Sequence, residues 1–153
     1  MDKITIKELA PYLPYGLKCI WNTETYELHG VLANDKCKLM DIYDDTIYGC
    51  GIKFIKPLLF PLSSLTKEIE VNGERFVPLK VLESMNDFGE HLYIQSSTLS
   101  EDFGKLDWWI EDEGGFTFNE MMNVYNKLLE WHFDVFGLIE RGLAIDKTTI
   151  NNV

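Results

Sequence analysis

Four side chains of metal-ligating type fall within one stretch of the chain: Cys19, His29, Cys37 and Cys50. Thiolate and imidazole are the usual ligands of tetrahedral zinc, but a zinc knuckle pairs them roughly two to four residues apart. No two of these four have that spacing, so no metal is expected and the cysteines read as strand residues facing a core. A second arrangement, Asp107-Trp108-Trp109-Ile110-Glu111, sets two carboxylates beside two indoles, the equipment with which glycosidases protonate a leaving oxygen and stack on a sugar. That chemistry has no signature spacing in sequence. One buried and one half-exposed Trp beside solvated acids is the plainer reading. Ser63-Ser64 lacks the Gly-x-Ser-x-Gly turn of a nucleophile elbow. Cys50 lies between two glycines with no His or base nearby in sequence. Gly114-Gly115 lacks the lysine and spacing of a phosphate loop. No catalytic residue, cofactor or metal is therefore expected, and the chain reads as non-enzymatic.

The element that would position such groups runs from Phe116 to Ile145. Met122, Tyr125, Leu129, His132, Phe136 and Ile139 recur at helical spacing. A polar stripe of Asn123, Lys127, Glu130, Asp134 and Arg141 follows the same period. Thr117 and Glu120 form a capping box with Phe116 and Met121 at the staple positions, and Gly142 supplies a left-handed end. The pattern predicts one long helix over 116–145. Its second half is apolar nearly all round, as in a central helix or one covered by a partner. His132 in the apolar row reads as a packing residue, since a general base needs a second group to orient it.

Ahead of this helix the chain is strand-rich. Thr5 and Glu8 make a capping box with Ile4 and Leu9 as its staple, and Pro11 and Pro14 keep that first helix, within 1–16, short. Residues 17–80 carry β-prone runs at 17–21, 26–32, 36–43, 46–51 and 53–60. Asn22-Thr23, Asn34-Asp35 and Asp44-Asp45 separate them as turns, which suggests an antiparallel meander. Pro57 places the last run at an edge or a strand end. Asn72-Gly73 predicts a hairpin of 69–71 with 74–77, in competition with a short helix through Ile69 capped by Ser63 or Ser64. Pro78 opens a further short helix. Residues 81–115 are acidic and irregular, with a strand at 91–97. The expectation is a single domain over 1–153 of class α+β: an antiparallel strand-rich region packed with short helices and one long C-terminal helix.

The net charge of −11 is unevenly placed. Residues 81–120 hold ten acids and one base, Lys105; residues 1–80 hold ten bases and eleven acids; residues 121–153 hold three bases and four acids. Such a chain is not expected to contact nucleic acid through phosphates, which demand Lys and Arg. The N-terminus has neither the cationic start nor the apolar run of a signal peptide, and no apolar stretch is long enough to span a membrane. Three widely spaced cysteines suit reduced thiols in a cytoplasm.

Three blocks, TIKELAPYLPYGLK (5–18), PLSSLTKEIEVNGERFVPL (61–79) and LLEWHFDVFGLIERGLAID (128–146), resemble small uncharacterised proteins encoded by Bacteroides-type phages, prophages and mobile elements. They cover about a third of the chain. The resemblance implies a bacterial cytoplasmic setting and a dispensable, phage-linked role, and it carries over no catalytic residue.

The function expected is that of an accessory protein binding another protein. Trp108 and Trp109, framed by Glu101, Asp102, Asp107, Glu111, Asp112 and Glu113, are the candidate partner-binding residues, because aromatics among charges suit an interface. In its sharper form the acids imitate a phosphate backbone and antagonise a basic, nucleic-acid-binding host protein. Two alternatives stand beside it. One is a small-molecule binder or hydrolase with a cleft beside the long helix, for which Tyr125, Trp131 and His132 are first in line. The other is a structural oligomer subunit joined through the apolar half of that helix.

Overall fold

The computed structural model describes residues 2–85 and 118–150. The chain divides into two compact units, one of residues 1–60 with 136–153 and the other of residues 61–135.

In the first unit Thr5 caps helix α1 (Ile6–Leu9): the Glu8 carboxylate accepts from the Thr5 backbone N–H and from its hydroxyl, both at 3.0 Å. The helix tightens at once into a 3-10 turn over Ala10–Tyr15, with Pro11 and Pro14 inside, and ends on Gly16 at φ +64°. Ile4 and Leu9 are both buried, as their staple positions imply.

A six-stranded sheet follows. β1 (Lys18–Trp21), β2 (Glu24–Leu32), β3 (Lys36–Asp41) and β4 (Ile47–Gly51) form the expected antiparallel meander. Asn22 and Thr23, at φ +50° and +66°, make the two-residue turn whose twist matches the strands they join. Asp35 and Asp45 take the same left-handed conformation in the next two turns. β5 (Lys56–Leu59) pairs antiparallel with β1 and carries Pro57 at its start, and β8 (Ile145–Asp146) returns from the far end of the chain to lie parallel to β5. The order across the sheet is β4-β3-β2-β1-β5-β8. Residues paired across strands share a face, so Cys19, Tyr26, Leu28, Leu39 and Cys37 form one buried face. Leu9, Tyr12, Leu17, Leu58 and Leu138 are also buried in this unit.

In the second unit a 3-10 turn spans Leu62–Thr66 with Pro61, rather than a serine, at its start. Ile69 goes to the hairpin: β6 (Ile69–Val71) and β7 (Glu74–Phe76) pair across Asn72 and Gly73, whose φ values of +53° and +83° fit the predicted tight turn. Helix α2 (Pro78–Met85) begins on its proline. Helix α3 spans Phe118–Glu130, and the rings of Phe76 and Trp131 lie 5.0 Å apart.

The α+β expectation of one long helix over 116–145 is overturned: the described fold is strand-rich with short helices, and α3 stops at Glu130. The physical cause is a helix-ending motif the sequence does not advertise. His132 sits at φ +63°, its N–H bonds to the Leu129 carbonyl at 3.0 Å, and the Phe133 N–H bonds to Leu128 at 2.8 Å. These two bonds are a Schellman ending with His in the place glycine usually takes. Further along, Gly137 also turns left-handed, and Gly142 at φ +76° closes a second such motif through Leu143 N–H to Leu138, 2.8 Å. The buried row of α3 is Val124, Leu128 and Leu129, whereas Met122, expected to face the core, is 37% exposed. Asp134, expected on a polar stripe, is buried. The all-round apolarity after Leu128 thus belongs to a buried irregular segment, not to a helix.

Candidate interaction surface

All eight residues predicted to meet a partner (Glu101, Asp102, Asp107, Trp108, Trp109, Glu111, Asp112 and Glu113) lie outside the described residues, as do the strand expected at 91–97 and the cap at Thr117. Tyr125 is half-buried and Trp131 buried, with the Lys127 ammonium 5.4 Å from the indole centre and 2.6 Å from Glu130. His132 serves the chain as a helix terminator. Clefts of about 520, 400 and 350 Å³ among the described residues are lined by other side chains, of the first unit.

The surface that sequence reasoning missed is the edge of the sheet at β4, which is free among the described residues. Two bonds fix which way each residue of that strand points. Asp41 donates to the Thr46 carbonyl at 2.8 Å and Ile52 donates to Asp35 at 2.9 Å. In an antiparallel ladder hydrogen-bonded pairs alternate with non-bonded ones. With Leu39 opposite Tyr48 and Cys37 opposite Cys50, Tyr48 and Cys50 therefore direct their main-chain groups inward to β3. Ile47, Gly49 and Gly51 direct theirs outward. Among the described residues, none bonds to the outward groups of Ile47 or Gly49.

The side chains around this edge are exposed and apolar. Ile47 is 48% exposed, and Tyr43 in the preceding turn is 91% exposed. Tyr48 packs against Trp21 and Tyr26 with ring centres 5.9 and 5.8 Å away, which steadies the strand from its inner face. The sequence IYGCG puts no charge, proline or bulge on β4. On the outer face Lys38 stands opposite Gly49 and Lys36 opposite Gly51, so no side chain of β4 covers either lysine. At its far end the strand meets the 350 Å³ cleft, which Lys3, Lys36, Lys53, one acid, Asp35, and the 62%-exposed Phe54 line. None of these three lysines is in an ion pair among the described residues; the Lys53 ammonium rests 5.0 Å from the Phe54 ring centre.

The cysteines lie on the other face of the same strands. Cys19 and Cys37 are buried and Cys50 is partly exposed. Burial, then the hydrogen bond with Cys50, pushes the Cys37 thiol up to about 12, and burial raises Cys50 as well. Among the described residues no group of three or more His, Cys, Asp or Glu side chains is arranged to hold a metal ion, and no helix is long and apolar enough to cross a membrane. No family model, curated protein or solved structure matches the chain. Nothing in these comparisons indicates an enzyme.

Proposed function

We propose that this chain is a non-enzymatic accessory protein that acts by binding another protein, in the bacterial cytoplasm and the phage-linked setting that its sequence resemblance implies. The observation that carries the reading is the uncharged edge of β4, open among the described residues. A row of unpaired main-chain donors and acceptors accepts an added strand, with hydrogen bonds giving affinity and flanking side chains giving specificity. The occupant it fits is an extended partner segment with acidic residues at alternate positions. Those residues would lie beside Lys36 and Lys38 across the glycine gap and end at the lysines around Phe54.

The charge distribution favours a second contact. Residues 81–120 carry ten acids against one base, a composition suited to a basic partner, and the reading of an acidic antagonist of a nucleic-acid-binding protein rests on it.

One capture experiment separates the two. The native chain, Gly49→Pro, and a chain with Glu101, Asp102, Glu111, Asp112 and Glu113 changed to Gln or Asn are each used as bait in a Bacteroides-type lysate. Strand addition predicts that the native chain's partner is lost with Gly49→Pro and displaced from the native chain by a peptide copying the partner's extended acidic segment. The antagonist reading predicts a nucleic-acid-binding protein released by salt and lost with the neutralised chain. A partner held equally by all three baits refutes both contacts.

A further inference from the structure

Cys37 and Cys50 stand directly opposite one another on β3 and β4, with their sulfurs 3.5 Å apart. Their pair is of the hydrogen-bonded kind, which sets the α-carbons about 5.5 Å apart, inside the window a disulfide requires. Cys50, on the edge strand, is partly exposed, while Cys37 and Cys19 are buried. The arrangement gives one thiol an approach from solvent and places a second where it can resolve the product. We infer that Cys37 and Cys50 form a two-thiol site for exchange with small-molecule disulfides, closing to an intrachain disulfide that ties the sheet's open edge strand to its neighbour.

The step balances without a metal or further cofactor. The Cys50 thiolate attacks one sulfur of a small disulfide RSSR, forming a Cys50–SR bond and releasing RS⁻. The Cys37 thiolate then attacks the Cys50 sulfur, forming the Cys37–Cys50 bond and releasing the second RS⁻. Two protein thiols are oxidised, one RSSR is reduced to two RSH, and the two thiol protons pass through solvent to the departing thiolates. Resolution is intramolecular over 3.5 Å, so the mixed disulfide should not accumulate. Burial holds both thiols protonated at neutral pH, so initiation is slow and quickens by about tenfold per pH unit below the thiol pKa. Cys19, buried on β1, has no such approach.

The test is incubation of the full folded chain with oxidised glutathione at several pH values, followed by intact mass and peptide mapping. The native chain should lose two hydrogens and yield one Cys37–Cys50 linked peptide pair. Cys37→Ser should stop at a single glutathione adduct on Cys50, and Cys50→Ser should leave Cys37 and Cys19 free. Cys37→Ala replaces the first variant if circular dichroism shows that the serine unfolds the sheet. A native chain that stays reduced under conditions that oxidise its urea-unfolded form, that retains glutathione on Cys50, or that links Cys19 instead would overturn the assignment.

Discussion

The six-stranded sheet ends differently on its two sides. β8 is two residues long, and the chain leaves it through a 3-10 turn over Lys147–Thr149. The Asp146 carboxylate closes that turn by accepting from the Thr148 backbone N–H at 2.9 Å and its hydroxyl at 2.6 Å. Lys147 folds back with its ammonium 4.5 Å from the Phe60 ring centre. A short strand, a charge at its end and an immediate turn are the usual means of closing a sheet edge. β4 has five residues with no charge among them, although it too passes at once into a 3-10 turn, over Ile52–Phe54. Both edges border one sheet under the same solvent conditions, and among the described residues β4 keeps the longer uncharged row of outward main-chain groups.

The comparison breaks first at an inward-pointing donor on β4. Tyr48→Pro removes a bond to β3 and the ring that packs on Trp21 and Tyr26. Urea unfolding should show a loss of roughly 2–5 kcal/mol from the lost ladder bond and ring contacts together. Tyr48→Ala, which keeps the donor, separates the ring's share. At the other edge Asp146→Ala deletes the cap of the closing turn and should cost about 1 kcal/mol in the same assay. A cost near zero would mean that this turn does not hold β8.

A smaller effect tests what keeps the chain's return to β8 in place. The Arg141 guanidinium bonds Asp2 at 2.7 and 2.9 Å and also bonds Glu8. The hydrogen bond from Arg141 is the main cause that lowers Asp2. Burial pushes Glu8 up, but bonds from Arg141 and Thr5 outweigh it and leave Glu8 below its ordinary value. A carboxylate depressed on folding contributes fully above its unfolded pKa of roughly 4, and that contribution is lost as pH falls through the folded value. Native stability should therefore drop on acidification in part through this cluster. Arg141→Ala should flatten that acid limb of the urea-midpoint profile while costing little at neutral pH, since the pairs are partly exposed and screened by solvent.

What could be read from the sequence was local. Asn22-Thr23 and Asn72-Gly73 fix their hairpins through turn chemistry confined to two residues, and Thr5 with Glu8 marks a helix start within one turn. β8 could not be read, because two residues pairing with β5 from across the chain leave no periodic signal. The break after Glu130 leaves no glycine to mark it, because His is among the non-glycine residues that enter the left-handed region most readily, while the apolar spacing around it imitates a helix face. The open edge and the thiol pair both depend on register. Nothing in IYGCG states that Gly49 faces solvent with its main chain or that Cys50 meets Cys37.

Gly49→Pro is the mirror of Tyr48→Pro and should have the smallest effect on stability. Its N–H points away from β3, so the ring removes no ladder bond, and a proline with its nitrogen facing solvent is tolerated on an edge strand. A Cβ at Gly49 meets nothing within 4 Å, and Tyr48 before it is already in the extended conformation that a following proline favours. The urea midpoint should shift by less than about 1 kcal/mol in stability. Strand addition requires that same outward donor, so binding of an extended acidic segment should fall while the fold persists. Neighbouring prolines on one strand would then divide its two hydrogen-bonding rows: one holds the sheet together and the other is free for a partner. If Gly49→Pro unfolds the chain as readily as Tyr48→Pro, β4 is bonded on both sides and the edge is not open.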